Sequence, residues 1–172
     1  MRYACAAAVL VLSGCAPRAR EAPVGPPDPA PPPGAVWRAI QPRAISGGLD
    51  PGFVYAVVQA ESNFDPRARK GEARGLLQLK PAAWKAASPL PYEPNVWNWR
   101  TNLAVGIDRL AAYRRQLGAE GKFSYPLLWA SHRYGIDFVA AHGFDLSRIP
   151  RPADPISYRL FTGEIHPVSP PP

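Results

Sequence analysis

The clearest helical pattern in the chain begins after Asp50, where apolar residues recur every three or four positions up to about residue 62. Asp50 suits the N-cap, and Pro51 suits the first helical position because the N–H that it lacks would have no partner there. The apolar face is formed by Val54, Val57 and Val58. Glu61 falls on the same face, so the pattern predicts a carboxylate against the core.

A carboxylate on an apolar face can be explained in two ways. Burial disfavours the charged form and should raise the pKa of Glu61, so that the group stays protonated near neutral pH and acts as a general acid. Alternatively, Glu61 is a glutamate at a helix C-terminus, half outside the core and hydrogen-bonded to a neighbouring donor. Its position alone leaves both interpretations open.

Other segments of the chain predict further helices, and we therefore expect an all-α fold. The predicted helices lie near residues 50–62, 79–87, 101–117, 125–134, 136–142 and 154–162. Thr101 is a suitable N-cap for the third of these. Its apolar face consists of Leu103, Ile107, Leu110 and Leu117. Most of this helix should therefore belong to the core.

The N-terminus resembles a targeting signal. A short positive segment is followed by an apolar run from Ala4 to Leu12 and then by small residues before Cys15, which is typical of a secretory signal at residues 1–14. The run is too short to span a bilayer core of about 30 Å. An ordinary cleaved signal with an incidental cysteine is the alternative, and it would leave an odd thiol in an oxidising compartment.

Proline divides the rest of the chain. Residues 15–35 are rich in proline and poor in large apolar side chains, so we expect a tether that reaches up to about 60 Å at about 3.1 Å per residue. The tail at residues 167–172 has the same composition and is expected to be frayed. One globular unit at residues 36–166 remains, which agrees with the 172-residue length.

Charge and composition narrow the function. The net charge of +7 favours an anionic partner such as nucleic acid, phospholipid or an acidic cell-wall polymer, and the secretion signal argues against nucleic acid. Both cysteines lie in the first fifteen residues, and the three histidines lack ligand spacing, so we expect no metal site and no cofactor. Serine-hydrolase and nucleotide-binding motifs do not occur in the sequence.

Two separated motifs carry a family resemblance. Glu61-Ser62 closes the first helix, and Gly75-Leu76-Leu77-Gln78 precedes Pro81, which starts the next. This arrangement resembles the soluble lytic transglycosylase domain of the lysozyme-like superfamily, with Leu77 in place of a methionine. The resemblance covers about residues 48–163. It implies a single all-α domain similar to goose-type lysozyme, in which Glu61 is the catalytic acid.

A third motif departs from the family. The family's Ala-Tyr-Asn-Ala-Gly is similar to Ala130-Ser131-His132-Arg133-Tyr134-Gly135, which places Ser131 at the tyrosine position and His132 at the asparagine position. The Ser131 hydroxyl is too short to reach the same place. Either Tyr134 replaces the tyrosine from the next turn, or activity is reduced. Tyr158 resembles the family's closing tyrosine, which borders the cleft.

The resemblance also assigns roles to the remaining residues. Gln78 and the backbone of Leu77 would line the sugar site, Ser62 would support Glu61, and Ser131, His132, Tyr134 and Tyr158 would contact substrate. The substrate implied is the peptidoglycan glycan strand. Asp65 precedes Pro66 and is better explained as a turn residue than as the second carboxylate of a hydrolase. Stacking on sugar remains open for the tryptophans at positions 84, 97, 99 and 129.

A chain with one well-placed glutamate favours a lyase over a hydrolase. Two alternatives remain: a degenerate family member that binds peptidoglycan as an envelope scaffold, and a lysozyme-type muramidase. Leu12-Ser13-Gly14-Cys15 resembles a bacterial lipobox, which implies lipidation at Cys15 and a membrane anchor. Because Ala16 follows, the anchor is expected at the outer membrane, on the periplasmic side, where envelope-complex proteins are further candidate partners.

Overall fold

The computed structural model of the chain describes residues 30–172. The predicted signal, Cys15 and most of the predicted tether lie outside these residues. The helices are α1 Pro33–Ser46, α2 Pro51–Ser62, α3 Pro81–Ala87, α4 Tyr92–Asn95, α5 Trp99–Ala119, α6 Tyr125–Tyr134, α7 Ile136–Ala141 and α8 Pro155–Phe161, with a 3-10 turn at Leu146–Arg148. The expected all-α, lysozyme-like class is confirmed.

Helix α2 packs against both α1 and α8. Its start follows the prediction, since Asp50 Oδ1 accepts a hydrogen bond from the Phe53 N–H at 2.8 Å and Pro51 is the first helical residue. Most of α2 is buried, including every residue from Gly52 to Val58. Asn63, in the left-handed region with φ of 48°, caps its C-terminus. Glu61 lies in the last turn of this helix and is also buried.

Helix α1 was not predicted. It begins at Pro33, inside the expected tether, and contains Pro42. Its buried residues, Val36, Ile40 and Ala44, are spaced four apart and form a stripe on a helix that packs against α2 and α5. Folded structure thus starts before the expected boundary at residue 36.

Helix α5 is longer than expected and has a different N-cap. It starts at Trp99, and Asn98 Oδ1 accepts from the Thr101 N–H at 3.0 Å, so the assignment of Thr101 as the cap is wrong. Helices α6, α7 and α8 lie within two residues of the predicted bounds.

A short antiparallel hairpin lies between α2 and α3. Its strands are β1 Arg69–Lys70 and β2 Ala73–Arg74, paired in the register Arg69 with Arg74 and Lys70 with Ala73. The strands were not predicted, since two residues are too few to show an alternating pattern.

The C-terminal tail is held against the folded unit, contrary to the expected fraying. The Arg159 guanidinium donates to the Pro167 carbonyl at 2.7 Å, and Val168 packs against the core. His166 Nε2 lies 2.7 Å from Asp50 Oδ1, so the tail also contacts the start of α2.

The four tryptophans considered for sugar stacking are all buried and belong to the core. Trp84 and Trp129 are almost fully enclosed, and the Trp84 Nε1–H donates to the Leu90 carbonyl at 2.7 Å. Trp97 is covered by the Arg69 guanidinium, which lies 4.5 Å from the ring centroid.

Within residues 30–172 no helix is both long and apolar enough to cross a membrane.

Candidate active site

Glu61 is enclosed by three parts of the fold. It projects from the end of α2, and its side chain is only 3% exposed. A cavity of about 260 Å³ opens beside it, between α2, the hairpin with the loop that follows it, and α6. The lining residues are Glu61, Lys70, Ala73, Gln78, Lys80, His132 and Arg133. Among these, Glu61 is the one carboxylate.

Arg133 is the ion-pair partner of Glu61. Its Nη1 lies 3.0 Å from Glu61 Oε2 and 3.3 Å from Oε1. Arg133 comes from the last turn of α6 and has a side chain that is 33% exposed. The pair therefore joins a buried carboxylate to a guanidinium that remains in contact with solvent.

The pKa of Glu61 is raised above its ordinary value, chiefly because burial disfavours the carboxylate. The charges of Arg133 and Lys70 oppose this effect, and the charge of Asp154, at the start of α8, adds to it. Burial is the largest of these influences, so the predicted direction of the shift is confirmed. The result is a carboxyl group that accepts a proton more readily than an exposed glutamate does.

His132 lies on the same cavity and is neutral. Burial lowers its pKa to about 3, and the charges of Arg109 and Arg133 act in the same direction. Its Nδ1 is buried and has no hydrogen-bond partner among the described residues. A neutral imidazole keeps one N–H donor and one acceptor, so it can orient a polar group without adding charge.

Gln78 fixes the loop that forms one wall of the cavity. Its Nε2 donates to the Gly75 carbonyl at 2.7 Å and to the Ala68 carbonyl at 3.0 Å. These bonds use both amide hydrogens, and the residue has a positive φ of 44°. Gln78 thus lines the Glu61 cavity and also holds the loop in place.

Asn102 secures this loop to α5, a role that the sequence analysis did not assign. Its Oδ1 accepts from the Leu77 N–H at 2.9 Å, and its Nδ2 donates to the carbonyls of Arg74 and Val96 at 3.0 and 3.1 Å. Gly75, with φ of 77°, allows this approach because an added Cβ would lie 2.6 Å from Asn102 Cγ. A fully buried asparagine in a helix could have indicated such a bond network.

Three residues that the resemblance placed at the substrate lie elsewhere. The Ser62 hydroxyl donates to the Val58 carbonyl at 3.0 Å, within its own helix. The Leu77 N–H is taken by Asn102, and its side chain is fully buried. Ser131 is also fully buried and donates to the Leu127 carbonyl at 2.8 Å. None of the three is among the residues that line the Glu61 cavity.

Neither of the two tyrosines lines the Glu61 cavity. Tyr134 lines a second cavity of about 320 Å³ that shares Gln78, Lys80, His132 and Arg133 with the first. Its hydroxyl donates to the Pro150 carbonyl at 2.9 Å and is therefore not directed at Glu61. Tyr158 is 45% exposed on α8.

The position of Ser131 corrects the alignment of the third motif. When the family's Ala-Tyr-Asn-Ala-Gly is aligned on Gly135, the residue that ends α6, its tyrosine matches His132 and its asparagine matches Arg133. Both of these line the Glu61 cavity, whereas Ser131 faces the core. The third motif thus matches the family one residue later than the expectation that placed Ser131 at the tyrosine position.

Asp65 is a turn residue, as predicted. Its Oδ1 accepts from the Arg67 N–H at 2.8 Å, and it is exposed. Within residues 30–172, no three His, Cys, Asp or Glu side chains are grouped closely enough to hold a metal ion. The chemistry at hand is that of one buried carboxyl group, surrounded by nitrogen donors.

The fold is all-α, and its buried helix α2 places a glutamate beside a cavity, as in the lysozyme-like class of proteins. A family model described as Transglycosylase SLT domain matches residues 38–134, more than half of the chain. The chain belongs to this family, which acts on peptidoglycan in the cell envelope. No curated protein sequence matches the chain.

Proposed function

We propose that the chain is a peptidoglycan lytic transglycosylase that cleaves the β-1,4 bond between N-acetylmuramic acid and N-acetylglucosamine. The observation that supports this most directly is the burial of Glu61 beside a cavity, with its pKa raised. Burial favours the protonated form of such a group, and that form can donate its proton to a leaving oxygen.

The reaction needs one carboxyl group used twice. Protonated Glu61 donates to the glycosidic oxygen, and the bond from that oxygen to C1 of the muramic acid breaks. The sugar's N-acetyl group stabilises the cationic C1. The Glu61 carboxylate then takes the proton from the 6-hydroxyl, whose oxygen bonds to C1 and forms the 1,6-anhydro ring. Glu61 ends the reaction protonated, as it began, and no water is consumed.

The arrangement around Glu61 favours this reaction over a two-carboxylate hydrolysis. A hydrolase needs a second carboxylate as nucleophile or base. Among the described residues that line the cavity, the other ionisable groups are nitrogen bases. Gln78 and His132 provide neutral polar groups that would orient the sugar.

A catalytically degenerate peptidoglycan-binding scaffold is the second candidate, and the Arg133–Glu61 ion pair favours it. The pair stabilises the ionised carboxylate, which cannot act as an acid. No tyrosine is among the described residues that line the Glu61 cavity, which acts in the same direction.

One digest separates the candidates. Purified sacculi are incubated with the chain, with Glu61→Gln, and with Glu120→Gln, an exposed glutamate at the end of α5, and the released fragments are weighed. We expect 1,6-anhydro ends from the chain and from Glu120→Gln, and about 100- to 10,000-fold less from Glu61→Gln. Reducing ends would identify a muramidase. Binding without release from any protein would leave the scaffold.

We further propose that Cys15 carries a lipid anchor that holds the domain at the periplasmic face of the outer membrane. The supporting observation is the Leu-Ser-Gly-Cys sequence after an apolar run. Cell fractionation tests it: Cys15→Ala should leave the membrane fraction or stay unprocessed, and unchanged fractionation would refute the anchor.

A further inference from the structure

Arg133 has donors that the Glu61 ion pair does not use. Only its Nη1 contacts Glu61, and its Nε and Nη2 make no hydrogen bond to any other residue of the described part of the chain. Its side chain is one-third exposed. A guanidinium with an open edge can hold a second carboxylate through two parallel hydrogen bonds.

Arg133 lies where the two cavities of the cleft meet. Arg133 lines both the Glu61 cavity and the second cavity beside it. Lys80 also lines both cavities, Lys70 lines the first, and Arg109 lines the second. Against these four cations stand two carboxylates, Glu61 in the first cavity and Asp137 in the second. The connected cleft thus carries a positive excess that suits an anionic ligand.

The cations of the cleft differ in the contacts that they make with other side chains and carbonyl groups. Arg109 donates to the Tyr113 hydroxyl at 2.6 Å and to the His132 carbonyl at 3.4 Å. Lys70 and Lys80 are exposed and form no salt bridge within residues 30–172. Arg133 is the cation that touches both Glu61 and the second cavity, so an anion bound there competes with Glu61 for it.

We propose that Arg133 couples recognition of a carboxylate on the glycan strand to protonation of Glu61. This inference rests on the proposed function. In the resting protein, the Arg133 charge favours the Glu61 carboxylate and opposes the rise in pKa that burial causes. A carboxylate bound in the second cavity draws the guanidinium toward itself, and Glu61, without its partner, takes up from the solvent of the cleft the proton that it later donates. Arg133 is thereby a positioning residue that also sets specificity.

Other charges facing Glu61 do not change the direction of this effect. Lys70 from β1 favours the carboxylate, Asp154 from the start of α8 favours the acid, and His132 from α6 is neutral. Arg133 is the largest of the charges acting on Glu61. Its withdrawal therefore shifts Glu61 toward the protonated form.

Two parts of peptidoglycan supply a carboxylate: the stem peptide, and the lactyl group of muramic acid once the stem is removed. The test therefore uses strands with intact stems, strands stripped by an amidase, and each kind after conversion of its carboxylates to methylamides. The proteins are the full chain, Arg133→Ala, Arg133→Lys, and Arg38→Ala as a control for an exposed arginine on α1.

We expect the chain and Arg38→Ala to cleave the carboxylate form of the preferred strand with a kcat/KM about 10- to 100-fold above that of its methylamide form. Arg133→Ala should lose this preference, and Arg133→Lys, which keeps the charge without the planar fork, should retain part of it. Whether stemmed or stripped strands show the larger ratio identifies the source of the carboxylate.

The pH profiles provide a readout that a purely structural role would not move. Cleavage falls as pH rises through the pKa of the acid, which kcat/KM reports for the free protein and kcat for the complex. For the chain on carboxylate strands, the kcat limb should lie at higher pH than the kcat/KM limb. The two limbs should coincide on methylamide strands and in Arg133→Ala.

The outcomes separate this inference from the proposed function. An active chain that cleaves carboxylate and methylamide strands equally, or an Arg133→Ala variant that keeps the preference, would overturn the inference and leave the function intact. Failure of the chain to cleave any strand would overturn the function and the coupling together. Equilibrium binding of the same strands to the chain and to Arg133→Lys then decides whether Arg133 recognises the carboxylate. Circular dichroism checks that each variant is folded.

Discussion

Replacing Asn102 with alanine should destabilise the domain more than any exposed change on the same helix. Asn102 is fully buried in α5 and makes three hydrogen bonds to backbone groups of neighbouring segments. Alanine removes all three at once, and its methyl group offers no polar atom to replace them.

Two of those three hydrogen bonds determine how much stability the Asn102→Ala change should cost. The Arg74 carbonyl also accepts from the Leu79 N–H at 3.0 Å, so it keeps a partner. The Leu77 N–H and the Val96 carbonyl are left unpaired in buried positions. Each orphaned group costs about 1–3 kcal/mol, so the change should cost about 2–6 kcal/mol. A domain of this size is stable by only about 5–15 kcal/mol.

Urea unfolding followed by circular dichroism measures the difference directly. The matched control is Asn98→Ala, which removes the exposed N-cap of the same helix and its bond to the Thr101 N–H. A lost cap costs about 0.5–2 kcal/mol, typically about 1. If Asn102→Ala lost no more stability than Asn98→Ala, the argument that Asn102 holds the cleft loop would be refuted.

Two further predictions concern packing and protonation. Gly106→Ala should lower stability by about 1–3 kcal/mol, because the new Cβ would lie 2.8 Å from the Cβ of the fully buried Leu77. The control is Gly118→Ala on the same helix, where a new Cβ meets no atom within 4 Å. Thermal unfolding measures both variants, and equal shifts in Tm would contradict the argument. The raised pKa of Glu61 makes the folded state bind a proton more tightly than the unfolded state. The stability of the chain relative to Glu61→Gln should therefore be highest below about pH 4.5 and fall as pH rises through the folded-state pKa. A stability difference between the two proteins that stays constant between about pH 4 and pH 7 would indicate an ordinary pKa.

Local signals predicted the helices that have a clear start and a regular apolar face. Helix α2 shows both, since Asp50 and Pro51 mark its first turn and its valines share a face. Helix α1 was missed because its proline-rich start continues the composition of the preceding segment, and Pro42 interrupts it. The stripe of buried residues in α1 is recognisable as a packing face only through its contacts with α2 and α5, and a local sequence pattern cannot show those contacts.

The residues of the candidate site also differ in whether a local sequence signal could predict them. Glu61 was predicted because its own helix places it against the core, and Gln78 because a motif marks its loop. The ion pair between Glu61 and Arg133 joins residues 72 positions apart, and an arginine in the last turn of a helix is ordinarily a solvated one. The one-residue error at Ser131 arose because only the three-dimensional position shows which residue of α6 faces the cavity.

The packing of α2 between the first and last helices has a consequence for the order in which this protein matures. Asp50 meets His166 across 116 residues, and α8 closes over α2 with the last part of the folded chain. Contacts between such distant segments form only after the whole intervening chain is available, and their closure entropy slows folding. A nascent chain that ends before α6 has Glu61 without Arg133 and without the wall of its cavity. The cleft therefore does not exist on an incomplete polypeptide.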